Sequence, residues 1–107
     1  MARKSSYLDF VLEQLAPLGE ITARAMFGGY ALYCDGVVFA LIAREVLYLK
    51  ADARNRPEFE ARGLPPFRPF ADKPEVMQYY QAPAELFEGR EELMRWAGGA
   101  VAAGRRA

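Results

Sequence analysis

Residues 30–43, YALYCDGVVFALIA, decide the fold of this chain. Two apolar runs flank the dipeptide Asp35-Gly36, and both of its residues accept the positive φ angles that a type I′ turn requires. The stretch therefore predicts a β-hairpin. Its second run, residues 37–43, does not alternate with polar residues, which indicates a strand buried on both faces at the centre of a sheet.

The β-structure extends from this hairpin in both directions. Upstream, residues 20–27 alternate with period two, which predicts a first strand that breaks at Gly28-Gly29. Downstream, Arg44-Glu45 makes a second reversal and residues 46–50 return as a strand. The middle of the chain is therefore predicted to be an antiparallel meander, and we expect a flanking helix to cover each of its exposed apolar faces.

Helical patterns lie on both sides of the meander. Residues 6–16 carry apolar side chains at helical spacing, and residues 17–19, which include a proline and a glycine, end that helix. A short helix is predicted over residues 55–63. The pattern becomes helical again from Pro83, with Gly89 dividing this last region into two helices.

Two further strands lie between the middle helix and the last one. Residues 64–70 are broken by prolines, which predicts an edge or irregular strand, and residues 76–81 predict a regular one. The predicted element order is α-β-β-β-α-β-β-α. The fold class is therefore α+β, a single two-layer domain in which helices pack on an antiparallel sheet. This domain is expected to span residues 1–107, with a core of about 6–104.

The composition excludes several common classes of functional site. The 107 residues include one cysteine and no histidine, so an internal disulfide, a Cys/His zinc cluster and an imidazole base are excluded. Lys+Arg and Asp+Glu each number 14, so no net positive field attracts DNA or an anionic membrane. The N-terminus lacks the pattern of a signal peptide, and no apolar stretch is long enough to span a bilayer. We therefore expect a soluble, cytoplasmic protein with no membrane partner.

Candidate reactive side chains are few. Cys34 could act as a nucleophile only if Arg or Lys stabilised its thiolate, and a small apolar strand residue is the favoured interpretation. Carboxylates at predicted turns could bind a hard metal ion or act as an acid/base pair, although solvated turn acids account for the same pattern. These carboxylates are Asp35, Asp52, Asp72 and Glu75. The sequence thus predicts no catalytic residue, no metal site and no cofactor.

Two groups of residues are candidate contact sites. Four arginines around the middle helix could form a phosphate-binding face, or could pair with Glu58 and Glu60 instead. Four aromatic residues lie in proline-flanked sequence, where they could form an exposed protein-docking surface or could pack in the core. The candidate polyanion patch is Arg54, Arg56, Arg62 and Arg68, and the candidate docking surface is Phe67, Phe70, Tyr79 and Tyr80.

Three local signatures carry a resemblance to a known family. They are residues 24–33, RAMFGGYALY; residues 39–42, FALI, with residues 47–50, LYLK; and residues 63–67, GLPPF, followed by residues 77–80, MQYY. With these signatures in this order, the chain resembles the TfoX N-terminal domain family. The resemblance implies a bacterial competence regulator that acts with the cyclic-AMP receptor protein at promoters. Family namesakes carry a second, C-terminal domain, which we expect this chain to lack.

On this basis we expect a non-enzymatic regulatory or adaptor domain that works by protein contact. The partner implied by the resemblance is the cyclic-AMP receptor protein. A small enzyme or ligand-binding domain that uses Cys34 or the turn carboxylates is one alternative. Direct nucleic-acid binding through the candidate polyanion patch is another, although the balanced charge predicts weak DNA binding by the isolated chain. The sequence leaves the oligomeric state open.

Overall fold

The computed structural model describes residues 6–26 and 28–107 of the chain. The strands are β1 (Ile21–Met26), β2 (Gly29–Cys34), β3 (Val37–Ala43), β4 (Val46–Lys50), β5 (Pro66–Phe67) and β6 (Met77–Gln81). The helices are α1 (Ser6–Leu15), α2 (Arg56–Ala61) and α3 (Arg90–Arg106), and two short 3₁₀ helices lie at Ala16–Leu18 and Ala84–Glu88. The strands form one sheet in the order β1-β2-β3-β4-β6-β5, and every neighbouring pair is antiparallel. The predicted α+β class is confirmed, and the proline-broken segment forms an edge strand, as predicted.

The central hairpin forms as predicted. Asp35 and Gly36 have φ angles of 50° and 85°, so both lie in the left-handed region that a type I′ turn needs. β3 is third in the sheet, and residues 39–42 along it are buried. Because side chains on both sides of this strand are buried, they have no need to alternate between apolar and polar.

The meander contains four strands, one more than the predicted element order counts. Gly28-Gly29 reverses the chain, so that β1 pairs with β2 along its whole length. Gly28 has a φ of 76°, and a Cβ on Gly29 would collide with the carbonyl oxygen of Ile42 in β3. Glycine therefore serves the turn at the first position and the close approach of two strands at the second. Phe27, predicted as the end of the first strand, lies outside the described residues.

The helix boundaries follow the predicted signals. α1 ends at Leu15, and the chain continues into the 3₁₀ helix that contains Pro17. α2 lies inside the predicted segment 55–63, and Gly63 after it has a φ of 70°. Gly89 has an extended backbone and separates the second 3₁₀ helix from α3. The last helical region is therefore divided where the sequence predicts.

All three helices contribute to a single core on one face of the sheet, which we call the helix face. The opposite face, which we call the open face, holds a second cluster whose described members are all strand residues. The expectation of a helix over each apolar face is therefore wrong for the open face, because α1 and α3 also pack against each other and so share one side. The helix-face core includes Leu15, Phe39, Phe59, Leu93 and Trp96, and the open-face cluster is centred on Ala31, Leu41, Phe67 and Tyr79.

Candidate functional site

The open face is an apolar and aromatic surface. Leu41 of β3 is buried within it, while Tyr33 of β2 and Tyr48 of β4 are partly exposed. The ring of Tyr48 packs on the ring of Phe67, with 5.0 Å between centroids and an interplanar angle of 60°. Partly buried residues complete the surface, and these are Met26, Val38, Ala43 and Met77. Tyrosine, methionine and arginine are enriched at protein interfaces, so this composition is typical of a binding surface.

Both charged residues in the six strands are basic and belong to the open face. Arg24 stands opposite Ala31 in the register of β1 and β2, and Lys50 stands opposite Tyr79 in that of β4 and β6. The Lys50 Nζ lies 4.8 Å from the centroid of the Tyr79 ring, within the range of a cation–π contact. Burial raises the pKa of Tyr79 and neighbouring Tyr33 raises it further, so the phenol is neutral at physiological pH. The strands therefore give this face positive charge and no negative charge.

A groove of about 520 Å³ opens at one end of the open face. Tyr48 and Phe67 contribute apolar lining, and Arg44 and Arg68 contribute charge. The Arg68 guanidinium donates hydrogen bonds to loop carbonyls, the shorter one 2.6 Å long to that of Lys73, which fixes the group without neutralising it. None of the described residues that line the groove is acidic. The groove thus combines two guanidinium groups with aromatic and proline side chains.

Arg44 reaches the groove from a turn whose backbone is unusual for its residues. Arg44 and Glu45 have φ angles of 53° and 60°, in the region that favours glycine and asparagine. Glu45 acts electrostatically on Tyr7 of α1, whose pKa is raised by burial first and by this carboxylate second. The turn therefore separates opposite charges, with Arg44 at the groove and Glu45 near the helices.

Several charged side chains of the helices and the segments beside them form ion pairs. Arg95 bridges α3 to α2 through Glu58, and Arg106 ties the end of α3 to the loop after β4 through Asp52. Such exposed pairs contribute little each, but they neutralise the surface locally. The described ion pairs are Arg56–Glu60 at 3.9 Å, Arg62–Glu85 at 2.8 Å, Arg95–Glu58 at 2.8 Å, Arg95–Glu92 at 3.0 Å and Arg106–Asp52 at 2.6 Å.

The structure does not bring the candidate polyanion patch together. Arg56 and Arg62 are each paired with a glutamate, which reduces the charge they offer to a phosphate. Arg68 lines the groove at the open face. Arg54 is exposed, and its side chain makes no ion pair with any described residue. The four arginines therefore have separate roles.

The candidate docking surface is also divided. Phe67 and Tyr79 belong to the open face. Tyr80 lies on the helix face, where its ring is 5.5 Å from that of Phe59. Phe70 is 50% exposed in the loop after β5, with the Lys73 Nζ 5.4 Å from its ring centroid. Adjacent residues of one strand point to opposite faces, so Tyr79 and Tyr80 cannot share a surface.

Sequence reasoning missed the partly exposed residues of the open face. Tyr33, Tyr48, Arg24 and Lys50 were not singled out, although they share this face with Tyr79. The available signal was the alternation of residues 46–50, which places the tyrosine and the lysine on one side and two leucines on the other. That pattern shows which residues share a face of the strand, but it does not show which of the two faces the helices cover.

Cys34 has the surroundings of a structural residue. Its side chain is 1% exposed, and the Sγ–H donates to the carbonyl of Leu18 over 3.7 Å. Burial raises the pKa of the thiol, and the carboxylate of Asp35 raises it further. The group is therefore protonated at neutral pH, whereas a nucleophilic cysteine needs a thiolate.

The turn carboxylates either support the fold or stand in solvent. Asp35 accepts a hydrogen bond of 3.0 Å from the backbone N–H just before β1. Asp52 accepts two from Arg106, at 2.6 Å and 2.9 Å, and these bonds lower its pKa to about 2. Asp72 and Glu75 are exposed in the loop after β5. Across the part of the chain that the structure describes, no three metal-ligating side chains converge, and no helix could cross a membrane.

Known proteins match most of this chain. The model of a family described as TfoX N-terminal domain matches residues 13–104. Protein Sxy of Escherichia coli (strain K12) is 29% identical over 85 residues, which is 78% of this chain and 40% of Sxy. The chain therefore spans about two fifths of the length of this curated relative. All six strands, and with them the whole open face, lie inside the segment that the family model matches.

Proposed function

The chain belongs to the TfoX N-terminal domain family, and from this we propose that it is a non-enzymatic regulatory domain that acts by binding another protein. The observation that carries the proposal is the open face. It presents partly exposed tyrosines and methionines beside basic side chains that form no ion pair with a described residue, and the described members of its cluster are all strand residues. A domain that folds for stability alone gains by burying such a surface, so leaving it accessible points to a partner.

The chemistry of the remaining candidates supports a non-enzymatic role. The Cys34 thiol is buried with a raised pKa, and Asp52 is held by Arg106. Neither group is presented to a substrate in a reactive form. The cytoplasmic location expected from the sequence belongs to the same proposal, since a regulator of transcription works beside its DNA.

The partner we propose is the cyclic-AMP receptor protein, as the family resemblance implies. In this role the chain contributes protein contacts, and the receptor contributes the affinity for DNA. Direct binding of the isolated chain to DNA is expected to be weak, because two arginines of the candidate polyanion patch are paired with glutamates.

The test is a fluorescence-anisotropy titration of a competence promoter with the chain, with and without the receptor and cyclic AMP. The change is Tyr33→Ser combined with Tyr48→Ser, which removes two partly exposed rings from the open face. We expect a loss of about 10- to 30-fold in affinity for the receptor–DNA complex, as for tyrosine anchors in other interfaces. Phe10→Ser is the matched control, because Phe10 is 41% exposed on α1 at the helix side.

Two results would contradict the proposal. One is an equal affinity of the double variant and the unaltered chain for the receptor–DNA complex, when thermal melting shows that both proteins are folded. The other is tight binding of DNA by the chain alone that Arg54→Ala or Arg56→Ala weakens, which would favour the nucleic-acid alternative.

A further inference from the structure

We propose that the open face recognises an acidic peptide segment of its partner, with apolar side chains in the groove and carboxylates on the basic groups around it. The inference rests on the proposed function and adds the chemistry of the partner. Apolar side chains of the segment contact Tyr48 and Phe67, which line the groove. Its carboxylates meet Arg44 and Arg68 there, and Lys50 and Arg24 along the strands.

Charge complementarity is the first argument. Arg24, Arg44 and Lys50 form no ion pair with any described residue, and Arg68 bonds only to uncharged carbonyls of its own loop. The chain as a whole is neutral, with 14 basic and 14 acidic residues. The positive character of the open face is therefore a segregation of charge within a neutral molecule, which a partner of opposite charge would complement.

The shape of the groove is the second argument. A volume of about 520 Å³ lies within the range of about 300–1,000 Å³ in which proteins bury small ligands and anchoring side chains. The lining offers aromatic and proline side chains for apolar contact. Two guanidinium groups at the same site can each donate a forked pair of hydrogen bonds to a carboxylate. An alternation of acidic and apolar residues in the partner satisfies both requirements.

The position of Arg44 is the third argument. Its φ of 53° and that of Glu45, 60°, place two ordinary side chains where glycine would be less strained. Strained non-glycine positions are found where the side chain they present has a task. Here the side chain presented to the groove is a guanidinium.

The ring geometry favours a peptide over single-stranded nucleic acid. Base stacking needs an exposed ring face. Phe67 and Tyr79 are only 8% and 6% exposed, and Lys50 already lies over the Tyr79 ring. The ring faces of these two residues are therefore not available for base stacking, whereas Tyr48 and Phe67 at the groove can contact an aliphatic or aromatic side chain.

The experiment measures binding of fluorescein-labelled peptides to the full chain by anisotropy. The probe is a short peptide that alternates Glu with Leu and Phe. Three comparison probes replace its Glu by Lys, replace its Leu and Phe by Ser, or are a labelled oligothymidine. We expect the acidic apolar peptide to bind at least about tenfold more tightly than each comparison probe, and its affinity to fall as salt is added.

The variants combine Arg44→Glu with Lys50→Glu, which reverses two of the unpaired charges at the open face. We expect a loss of about tenfold or more in affinity for the acidic peptide. Arg90→Glu combined with Arg105→Glu is the matched control, because it makes the same total change in charge at two exposed positions of α3. That control is expected to leave the affinity unchanged within about twofold.

The outcomes separate this inference from the proposed function. If the charge reversals leave peptide and receptor binding unchanged while Tyr33→Ser with Tyr48→Ser weakens receptor binding, the acidic-segment inference is wrong and the proposed function stands. The inference is also wrong if the Lys-containing peptide binds as tightly. Preferential binding of oligothymidine that the charge reversals abolish would overturn it in favour of single-stranded nucleic acid.

Discussion

The two faces of the sheet both carry aromatic side chains, but these differ in their exposure to solvent. On the helix face, aromatic rings pack against one another out of solvent, as Phe59 does against Tyr80 and Trp96. On the open face, Tyr33 and Tyr48 are partly exposed beside basic residues that have no acidic partner among the residues the structure describes. Buried packing is therefore concentrated on the helix face, while the open face keeps partly exposed side chains.

The largest effect on stability is expected from a substitution in the helix-face core. Phe59→Ala removes a ring that is 1% exposed and contacts both Tyr80 and Trp96. We expect the free energy of unfolding to fall by about 3–5 kcal/mol, because the cavity is lined by a packed core. Tyr33→Ala on the open face is expected to cost only about 1 kcal/mol. Urea denaturation of both variants measures the contrast, and equal losses would mean that the two faces do not divide stability in this way.

A substitution in the turn between β2 and β3 is expected to have the next largest effect on stability. Gly36 has a φ of 85°, and both strands that it joins contribute residues to each face. Gly36→Val is expected to lower the free energy of unfolding by about 1–3 kcal/mol, because a β-branched residue is strained there. Gly98→Val is the control, since its Cβ also meets open space but its backbone is helical. A denaturation midpoint for Gly36→Val equal to that of the control would refute the turn's importance.

A gain in stability is expected at the second turn. Glu45→Gly should raise the free energy of unfolding by about 0.5–1 kcal/mol, because glycine relieves the positive φ of 60°. Glu91→Gly in the exposed first turn of α3 should lower it by about 1 kcal/mol, so the two substitutions differ in sign. Thermal melting in parallel measures both. A loss at both positions would show that Glu45 is unstrained and would weaken the argument built on Arg44.

The smallest effect concerns acid stability on the helix side. Arg106 lowers the pKa of Asp52 to about 2 from 3.8, so the contribution of this pair is complete above the usual pKa and disappears as pH falls through about 2. Asp52→Asn should therefore lower stability at neutral pH and show a shallower decline in acid. The measurement is the urea midpoint as a function of pH. Arg90→Gln, which removes a charge that pairs with no described carboxylate, should leave the shape of that decline unchanged.

Local signals in the sequence were sufficient for most boundaries of the fold. The structure confirms the turn predicted at Asp35-Gly36 and the helix ends predicted at Pro17 and Gly89. Each of these residues determines the backbone conformation only within a few positions of itself. The reversal at Gly28-Gly29 was interpreted as a break because glycine pairs also occur at bulges. The order of strands, with β6 beside β4, depends on contacts far apart in the chain, which no local pattern encodes.

The candidate site was less predictable for a related physical reason. The sequence singled out Phe67 and Tyr79, which lie on the open face, but grouped them with Tyr80 on the helix face. Alternation separates the two sides of a strand, but the side that the helices cover is chosen by the packing of the whole chain. The groove and the turn that presents Arg44 likewise depend on the assembled sheet.

The unequal edges of the sheet limit how copies of the chain could polymerise. β5 is two residues long and begins with Pro66, which has no N–H to donate. The β5 edge of the sheet therefore offers almost no backbone hydrogen bonds to a neighbouring copy. β1 is six residues long and, within the described sheet, pairs only with β2. A fibril that grows by strand pairing requires an unpaired strand edge on both sides of the sheet in every copy. Because only the β1 edge can pair with a strand of another copy, intermolecular strand pairing ends at two copies, and the β5 edge prevents further addition.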